Sequence, residues 1–138
     1  LRRPRHRRID VWWRGRKNGS LMLILAHLLT QNWEWAGAEI RLLRVIKDKA
    51  GHDSTRDALR QLINDARVDC REQVVVSDRP FAEMLHKESA QSDCVLLGFE
   101  IPEAADSVQW CSQYESLLEG LPTTLLICSA EGLEDVTA

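Results

Sequence analysis

The sequence predicts an α/β domain in which a five-stranded parallel sheet lies between helices on both of its faces, a three-layer architecture. Five short segments rich in β-branched and aliphatic residues alternate along the chain with four segments of helical periodicity. The connections between successive strands are long enough for crossover helices, which make neighbouring strands parallel. The usual strand order for this pattern is 3-2-1-4-5, and it is the order that we predict.

The predicted strands are residues 9–14, 39–46, 72–77, 93–99 and 123–128. Residues typical of helix ends indicate where the helices lie. Ser20 is suited to cap the first helix, and Ser54 opens a capping box before the second. Pro80 suits the start of the third helix, because its missing N–H would have no partner there. The fourth helix, residues 103–119, is predicted to end at Gly120.

The first helix, residues 21–29, is nonpolar on almost all of its sides, unlike a helix that only packs on a sheet. A helical wheel assigns one nonpolar face to the sheet, and this face consists of Leu21, Ile24, Leu25 and Leu28. Five residues then lie on the outer side of the helix: Met22, Leu23, Ala26, His27 and Thr30. Contiguous nonpolar residues in water mark a contact site, so these five residues are the predicted interaction surface.

The sequence also predicts where two pairs of large side chains near the second strand lie. Trp33 and Trp35, in the loop before that strand, are expected to cover the end of the core. Arg41 and Arg44, within the strand, are charged and are therefore expected toward an edge of the sheet.

Charge is distributed unevenly along the 138 residues, whose net charge is −3. Residues 1–8 hold five arginines and no acid, which leaves a net charge of −8 on the rest. We therefore divide the chain into a basic linker (1–8), a single lobe (9–130) and an acidic tail (131–138). A basic segment can attract nucleic acid or anionic lipid. The body is not basic, so we expect no nucleic-acid partner and favour a solvated linker. Contact of the arginines between Arg2 and Arg8 with lipid stays open.

The four cysteines and four histidines are scattered, with no C-x-x-C pair and no cluster at metal-ligand spacing. Cys94 and Cys128 lie in nonpolar strand segments, where a free thiol behaves as a small hydrophobic group. We therefore expect no metal, no cofactor and a reducing compartment. The longest nonpolar run, residues 21–29, is far shorter than the roughly 20 residues of a membrane span.

The predicted strand order has its switch point, where such sheets bind ligands, between the first and fourth strands. The loop after the first strand offers Arg14, Arg16, Lys17 and a helix N-terminus, which suit an anion. The loop lacks the glycine signatures of phosphate sites, and Glu100 and Glu103 in the facing loop would repel phosphate. No Ser/His/Asp or Cys/His set can be placed on neighbouring strand ends, so we do not expect an enzyme.

Several motifs follow one another along the chain. The first is Ile-Asp-Val-Trp-Trp at residues 9–13. Next come Gly19, Leu-x-Leu at 21–23, Leu-Leu-Thr at 28–30, Trp33 and Ile-Arg at 40–41. The last are Phe-x-Glu-x-Leu at 81–85, residues 93–102 and Leu-Pro-x-x-Leu-Leu-Ile at 121–127. In this order, over residues 9–127, they resemble the second half of the cytoplasmic C-terminal domain of cation-chloride cotransporters.

This resemblance implies a setting for the domain. Members of the family are membrane symporters that move chloride with sodium and/or potassium, and their transport sites lie in a membrane domain. Their C-terminal domain has two lobes that resemble universal stress proteins, and it serves dimerisation, regulation and trafficking. By resemblance this chain is the second lobe, at the cytoplasmic face of the cell membrane. The implied partners are the first lobe, the sister subunit of a homodimer and the membrane domain of the parent transporter.

The chain also departs from the animal members of that family. They carry a long phosphorylatable insertion where this chain has only residues 77–79, and an acidic Asp-Asp-Gly-Gly loop where it has Lys-Asn-Gly-Ser at 17–20. These differences favour a prokaryotic relative and argue against kinase regulation through those segments. One alternative is a stand-alone universal-stress-like nucleotide-binding module, which predicts a Gly-x-x-Gly that residues 98–101 do not supply. An enzyme fragment with partner residues elsewhere is a third interpretation.

Overall fold

A computed structural model describes residues 7–14, 19–98 and 106–127 of the chain. Strands and helices alternate through these ranges. The strands are β1 (Arg8–Trp12), β2 (Glu39–Ile46), β3 (Arg71–Val76), β4 (Cys94–Gly98) and β5 (Thr123–Ile127). The helices are α1 (Gly19–Thr30), α2 (His52–Ala66), α3 (Phe81–Glu88) and α4 (Ser107–Leu118). The five strands are parallel in the order β3-β2-β1-β4-β5, which confirms the predicted fold.

Two nonpolar clusters lie on opposite faces of the sheet because successive residues of a strand point to opposite sides. Val11 of β1 belongs to the cluster formed with α1 and α2, whereas Trp12 belongs to the cluster formed with α3 and α4. This division follows from strand order. The chain moves from β1 to β3 in one direction and then returns to β4 and β5, and right-handed crossovers place the two pairs of helices on opposite faces.

The start of α2 differs from the prediction. The helix begins at His52, so Ser54 lies inside its first turn and donates a hydrogen bond to the carbonyl of Gly51 (3.1 Å). A 3₁₀ turn, Lys49–Gly51, precedes the helix, and the side chain of Asp48 accepts from the N–H of Ala50 (2.9 Å). The predicted capping box is therefore wrong, because the chain enters α2 through this capped turn.

Two other predicted helix ends have different outcomes. Helix α1 begins at Gly19, so Ser20 is its second residue rather than the cap that precedes it. Gly120 follows α4 with a φ of +83°, a left-handed conformation that glycine adopts without steric cost, so its role as a stop is confirmed.

The two tryptophans before β2 have different environments. Trp35 packs against the core cluster on the α1 face, but Trp33 is 83% exposed, so the expectation that both cover the core is wrong for Trp33. The pair forms a 3₁₀ turn, Trp33–Trp35, in which Asn32 accepts a hydrogen bond from the N–H of Glu34 (3.0 Å). Arg8, which we assigned to the linker, is the first residue of β1. The acidic tail and residues 1–6 lie outside the described ranges.

Candidate interaction surface

Helix α1 has one side against the sheet and one side partly open to solvent. Met22, Leu23 and Ala26 are at most 1% exposed and belong to the core cluster that also contains Val11 and Leu42. Our prediction that these three residues lie on the outer side is therefore wrong. A helix that is nonpolar on all sides carries no periodic signal for the side that faces the sheet, and the path of the crossover decides it.

The outer side of α1 is the face that the helical wheel assigned to the sheet. Leu28 is 56% exposed, and Leu21, Ile24 and Leu25 are half-buried. Leu21 and Leu25 contact the margin of the core cluster, on the face that α1 shares with α2. Helix α1 contains no Asp, Glu, Lys or Arg, so its outer side is an uncharged nonpolar surface.

The other two residues of the predicted surface lie near the end of α1. His27 is exposed and Thr30 is half-buried. The hydroxyl of Thr30 donates to the carbonyl of His27 (2.6 Å), and the side chain of Gln31 lies 3.5 Å from the His27 ring. These contacts stabilise the end of the helix. Contact of His27 and Thr30 with a partner stays a prediction.

The first residue of α1 explains how closely this helix approaches α2. A Cβ atom at Gly19 would lie 2.8 Å from Cδ2 of Leu62 and 3.0 Å from Nε1 of Trp13. Gly19 therefore allows the start of α1 to pass between the indole at the end of β1 and a leucine of α2. This approach positions the outer side of α1 beside α2.

A buried ion pair in the sheet was missed by the sequence analysis. Arg41 of β2 donates from Nε to Oδ1 of Asp10 (3.0 Å) and from Nη2 to Oδ2 (2.9 Å). The two residues are register partners on β1 and β2, with exposures of 5% and 0%. Because β2 is an interior strand, the expectation that Arg41 lies toward an edge is wrong. The predicted strand order was itself the signal, since the charge of an arginine buried on an interior strand is best compensated by a buried carboxylate.

The ion pair extends to the end of α3. Ser89, which follows this helix, donates to Oδ2 of Asp10 (2.7 Å) and accepts from the indole N–H of Trp12 (2.9 Å). The carbonyl of Glu88 accepts from Arg41 (2.8 Å) and from Arg8 (3.2 Å). The network therefore joins β1, β2 and the last turn of α3 at the edge where the strands begin. Nε of Arg8 lies 3.3 Å from Oδ1 of Asp10 but makes no hydrogen bond.

Two arginines near the ends of the strands rest on aromatic rings. The guanidinium of Arg14 lies 4.6 Å from the centre of the Phe81 ring, and that of Arg44 lies 5.3 Å from the Trp13 ring. Arg44 is thus half-buried on an interior strand rather than at an edge. Four charged residues of the predicted switch-point loops, Arg16, Lys17, Glu100 and Glu103, lie outside the described residues.

Two of the described thiols, those of Cys70 and Cys94, have environments that lower their reactivity. Burial raises the pKa of the Cys70 thiol to about 12, and burial also raises the pKa of Cys94. A thiol with a raised pKa is a poor nucleophile, because the thiolate is the reactive form. No group of His, Cys, Asp and Glu side chains in the described ranges could hold a metal ion. Across those ranges, no helix is long and nonpolar enough to span a bilayer.

A shallow depression of about 350 Å³ runs along one side of α4. It is lined by Ser107, Val108, Cys111, Ser112 and Glu115. These residues belong to a single helix, so the depression does not bring together polar groups from several elements, as a ligand pocket does. Among the described residues, the outer side of α1 is therefore the better candidate for a functional contact.

Comparison with known proteins supports a family and a fold. The sequence model of solute carrier family 12 matches residues 2–81, and no curated protein matches the sequence. A solved universal stress protein in complex with cAMP has a TM-score of 0.63 and 13% identity, covering 91% of this chain and 98% of its own. A protein of the universal stress protein family from Burkholderia pseudomallei has a TM-score of 0.58 and 19% identity, and the match covers 91% of this chain and 98% of that protein. The universal stress protein from Archaeoglobus fulgidus has a TM-score of 0.60 and 9% identity, and the match covers 89% of this chain and 93% of that protein.

Sequence identities this low show a shared fold alone. The fold shared with these proteins agrees with the strand order described above. The family match also shows membership of a protein family, because residues 2–81 are more than half of the 138 residues. They run from the basic segment to the start of α3. The chain therefore belongs to solute carrier family 12, the cation-chloride cotransporters, and forms a domain with the fold of a universal stress protein.

Proposed function

We propose that this chain is a cytoplasmic regulatory and dimerisation lobe of a membrane symporter that moves chloride with sodium and/or potassium. The observation that carries the proposal is that the family match falls on an α/β lobe whose first helix has an uncharged nonpolar outer side. In this proposal the lobe has no catalysis of its own, and its position is the cytoplasmic face of the cell membrane. The prokaryotic origin suggested by the loops is part of the same proposal.

The outer side of α1 supports the dimerisation part of the proposal. Leu28 is 56% exposed and lies beside the half-buried Leu21 and Ile24, with no charged residue in the helix. Nonpolar residues that lie together on a surface are typical of contact sites between proteins. The proposed occupants are the other lobe of the C-terminal domain and the sister subunit, and the membrane domain is the third proposed partner.

Leu28→Asp tests this function in the parent transporter and in the chain itself. Burial of a leucine contributes about 1.5–3 kcal/mol, so the charge should weaken association about tenfold to a hundredfold. Sedimentation equilibrium measures self-association of the chain, and light scattering measures the dimer of the detergent-solubilised transporter. Chloride-dependent rubidium uptake, normalised to surface protein, measures regulation. We expect less dimer and altered uptake.

Ala58→Asp is the matched control, because it adds the same charge at an exposed position of the neighbouring helix α2, which is rich in charged residues. It should leave both association and uptake unchanged. If Leu28→Asp behaves like Ala58→Asp in all three measurements, the dimerisation and regulatory roles of this lobe are refuted.

A stand-alone nucleotide-binding module is the second candidate, favoured by the similar fold of the universal stress protein solved with cAMP. Isothermal calorimetry with ATP and with cAMP separates the two functions. We expect no binding at physiological ATP concentration, because the loop after β4 lacks the Gly-x-x-Gly signature. A micromolar dissociation constant for either nucleotide would favour the alternative.

A further inference from the structure

The helices on the two faces of the sheet are buried to different extents. On one face, α1 and α2 together contribute five residues to the buried core cluster: Met22, Leu23, Ala26, Leu59 and Ile63. On the other face, α3 contributes Leu85 to its cluster and has one further buried residue, Met84, whereas no residue of α4 is fully buried. Because burial of nonpolar side chains is the main stabilising contribution, α3 and α4 are held to the sheet less firmly than α1 and α2.

The last turn of α3 is joined to the sheet by hydrogen bonds. Ser89, which is fully buried, donates to Oδ2 of Asp10 (2.7 Å) and accepts from the indole N–H of Trp12 (2.9 Å). The carbonyl of Glu88 accepts from Nη2 of Arg41 (2.8 Å). These hydrogen bonds connect the helix to two interior strands, so they must break when α3 leaves the sheet.

Further contacts join the start of α3 to the sheet and join α3 to α4. The Trp12 ring lies edge-on to the ring of Phe81, the first residue of α3, with centres 5.6 Å apart. One indole therefore contacts both ends of α3, so neither end separates alone. Nε2 of His86 in α3 donates to the carbonyl of Leu117 in α4 (2.7 Å). Leu117 also packs against the cluster that contains Leu85, so α4 loses contacts when α3 moves.

We propose that α3 and α4 separate from the sheet together in a local opening, while α1, α2 and the central strands stay folded. The hydrogen bonds of Ser89 set how often this opening occurs. Proteins open locally in cooperative units, and elements with few buried nonpolar contacts have the lowest opening free energies. The open form exposes the nonpolar side chains of Trp12 and Leu97, which α3 and α4 otherwise cover. The inference goes beyond the proposed function and does not depend on dimerisation.

Hydrogen exchange of the 138-residue chain, followed by mass spectrometry at several urea concentrations below the unfolding transition, tests the proposal. We expect the hydrogen-bonded amides of α3 and α4 to exchange at least about tenfold faster than those of α1 and α2. Their exchange should also depend less on urea, because a local opening exposes less surface than global unfolding does. Equal exchange of the two pairs of helices, or opening of only one of α3 and α4, would overturn the proposal.

Ser89→Ala tests the role of the hydrogen bonds. It removes a bond to a carboxylate and leaves the indole N–H of Trp12 without its partner, so exchange of α3 and α4 should rise about tenfold to a hundredfold. Ser92→Ala is the matched control, because this buried hydroxyl donates to the carbonyl of Ser89 (2.7 Å) and not to the sheet. It should raise exchange much less than Ser89→Ala does. Equal effects of the two variants would refute the role assigned to Ser89.

Ile63→Val separates the local opening from global unfolding. Ile63 lies in α2 and belongs to the cluster on the opposite face, so its contacts persist when α3 and α4 open. The mild truncation should speed exchange of α1 and α2 about twofold to tenfold and leave exchange of α3 and α4 unchanged. If Ile63→Val speeds exchange of all four helices alike, they exchange only through global unfolding, and the proposal is wrong.

Discussion

Asp10 and Arg41 face each other on neighbouring strands in the interior of the sheet, joined by two hydrogen bonds of 3.0 and 2.9 Å. The bidentate geometry compensates for the loss of water around two buried charges. Asp10 also accepts a hydrogen bond from the hydroxyl of Ser89, and Arg41 donates one to the carbonyl of Glu88. The pair therefore connects the sheet to the end of α3.

Asp10→Ala should lower the free energy of unfolding by about 3–5 kcal/mol, because it leaves the guanidinium of Arg41 buried without its carboxylate. The double replacement Asp10→Leu with Arg41→Met should recover much of this loss, since a nonpolar pair needs no compensation. Urea unfolding followed by circular dichroism measures both effects. Glu39→Gln, in an exposed pair, serves as the control and should cost no more than about 1 kcal/mol. A cost of Asp10→Ala as small as that of the control would contradict this prediction.

Leu23→Ala and Leu28→Ala should separate the two sides of α1. Leu23 is fully buried, so its truncation should cost about 2–5 kcal/mol by leaving a cavity. Leu28 is 56% exposed, so the same truncation should cost less than about 1 kcal/mol. Thermal and urea unfolding of the two variants provide the comparison. Equal costs would mean that the two sides of the helix are buried alike.

Gly19→Ala should destabilise the lobe by about 1–3 kcal/mol, because the added methyl group would lie 2.8 Å from Leu62 and 3.0 Å from the Trp13 ring. Combining it with Leu62→Ala should reduce the cost of Gly19→Ala, because the closest contact is then removed. Gly51→Ala is the matched control, since its new Cβ would have no neighbour closer than 3.9 Å. Urea unfolding that ranks Gly51→Ala as the more harmful change would show this explanation to be wrong.

The stability of the lobe should fall as the pH rises above 9.0, in part because of Cys70. Its pKa is raised from 9.0 to about 12 by burial, so the unfolded chain releases this proton at a lower pH than the folded chain. The contribution is fully present below pH 9.0 and is lost as the pH rises toward 12. Unfolding in urea with a reductant, measured across this range, should show a shallower decline for Cys70→Ala than for wild type. Cys111→Ala, which removes an exposed thiol, is the control. Equal slopes for wild type, Cys70→Ala and Cys111→Ala would contradict the prediction.

The strands were predictable because their signals are local. The predicted β2 has the observed bounds, Glu39–Ile46, and the other four strands differ from the prediction by one or two residues at an end. Val11 and Trp12, which are adjacent in β1, belong to the two core clusters on opposite faces, as the pleat of a strand requires. These signals repeat within a few residues, and the right-handed crossover rule then restricts the order of the strands.

The outer side of α1 was not predictable from its own residues. Leu23 and Leu28 are the same amino acid in one nonpolar helix, yet one is fully buried and the other is 56% exposed. A wheel needs polar residues on one side to reveal the buried side, and α1 has too few of them.

The sequence by itself therefore determined the order of strands and helices and the parallel sheet, because both follow from short-range periodicity and connection length. Tertiary structure alone decided which leucines of α1 are buried, that Trp33 faces solvent, and that Asp10 is the carboxylate paired with Arg41. These features depend on contacts between residues far apart in the chain, 31 positions in the case of Asp10 and Arg41. Such contacts form only when the crossovers bring the elements together.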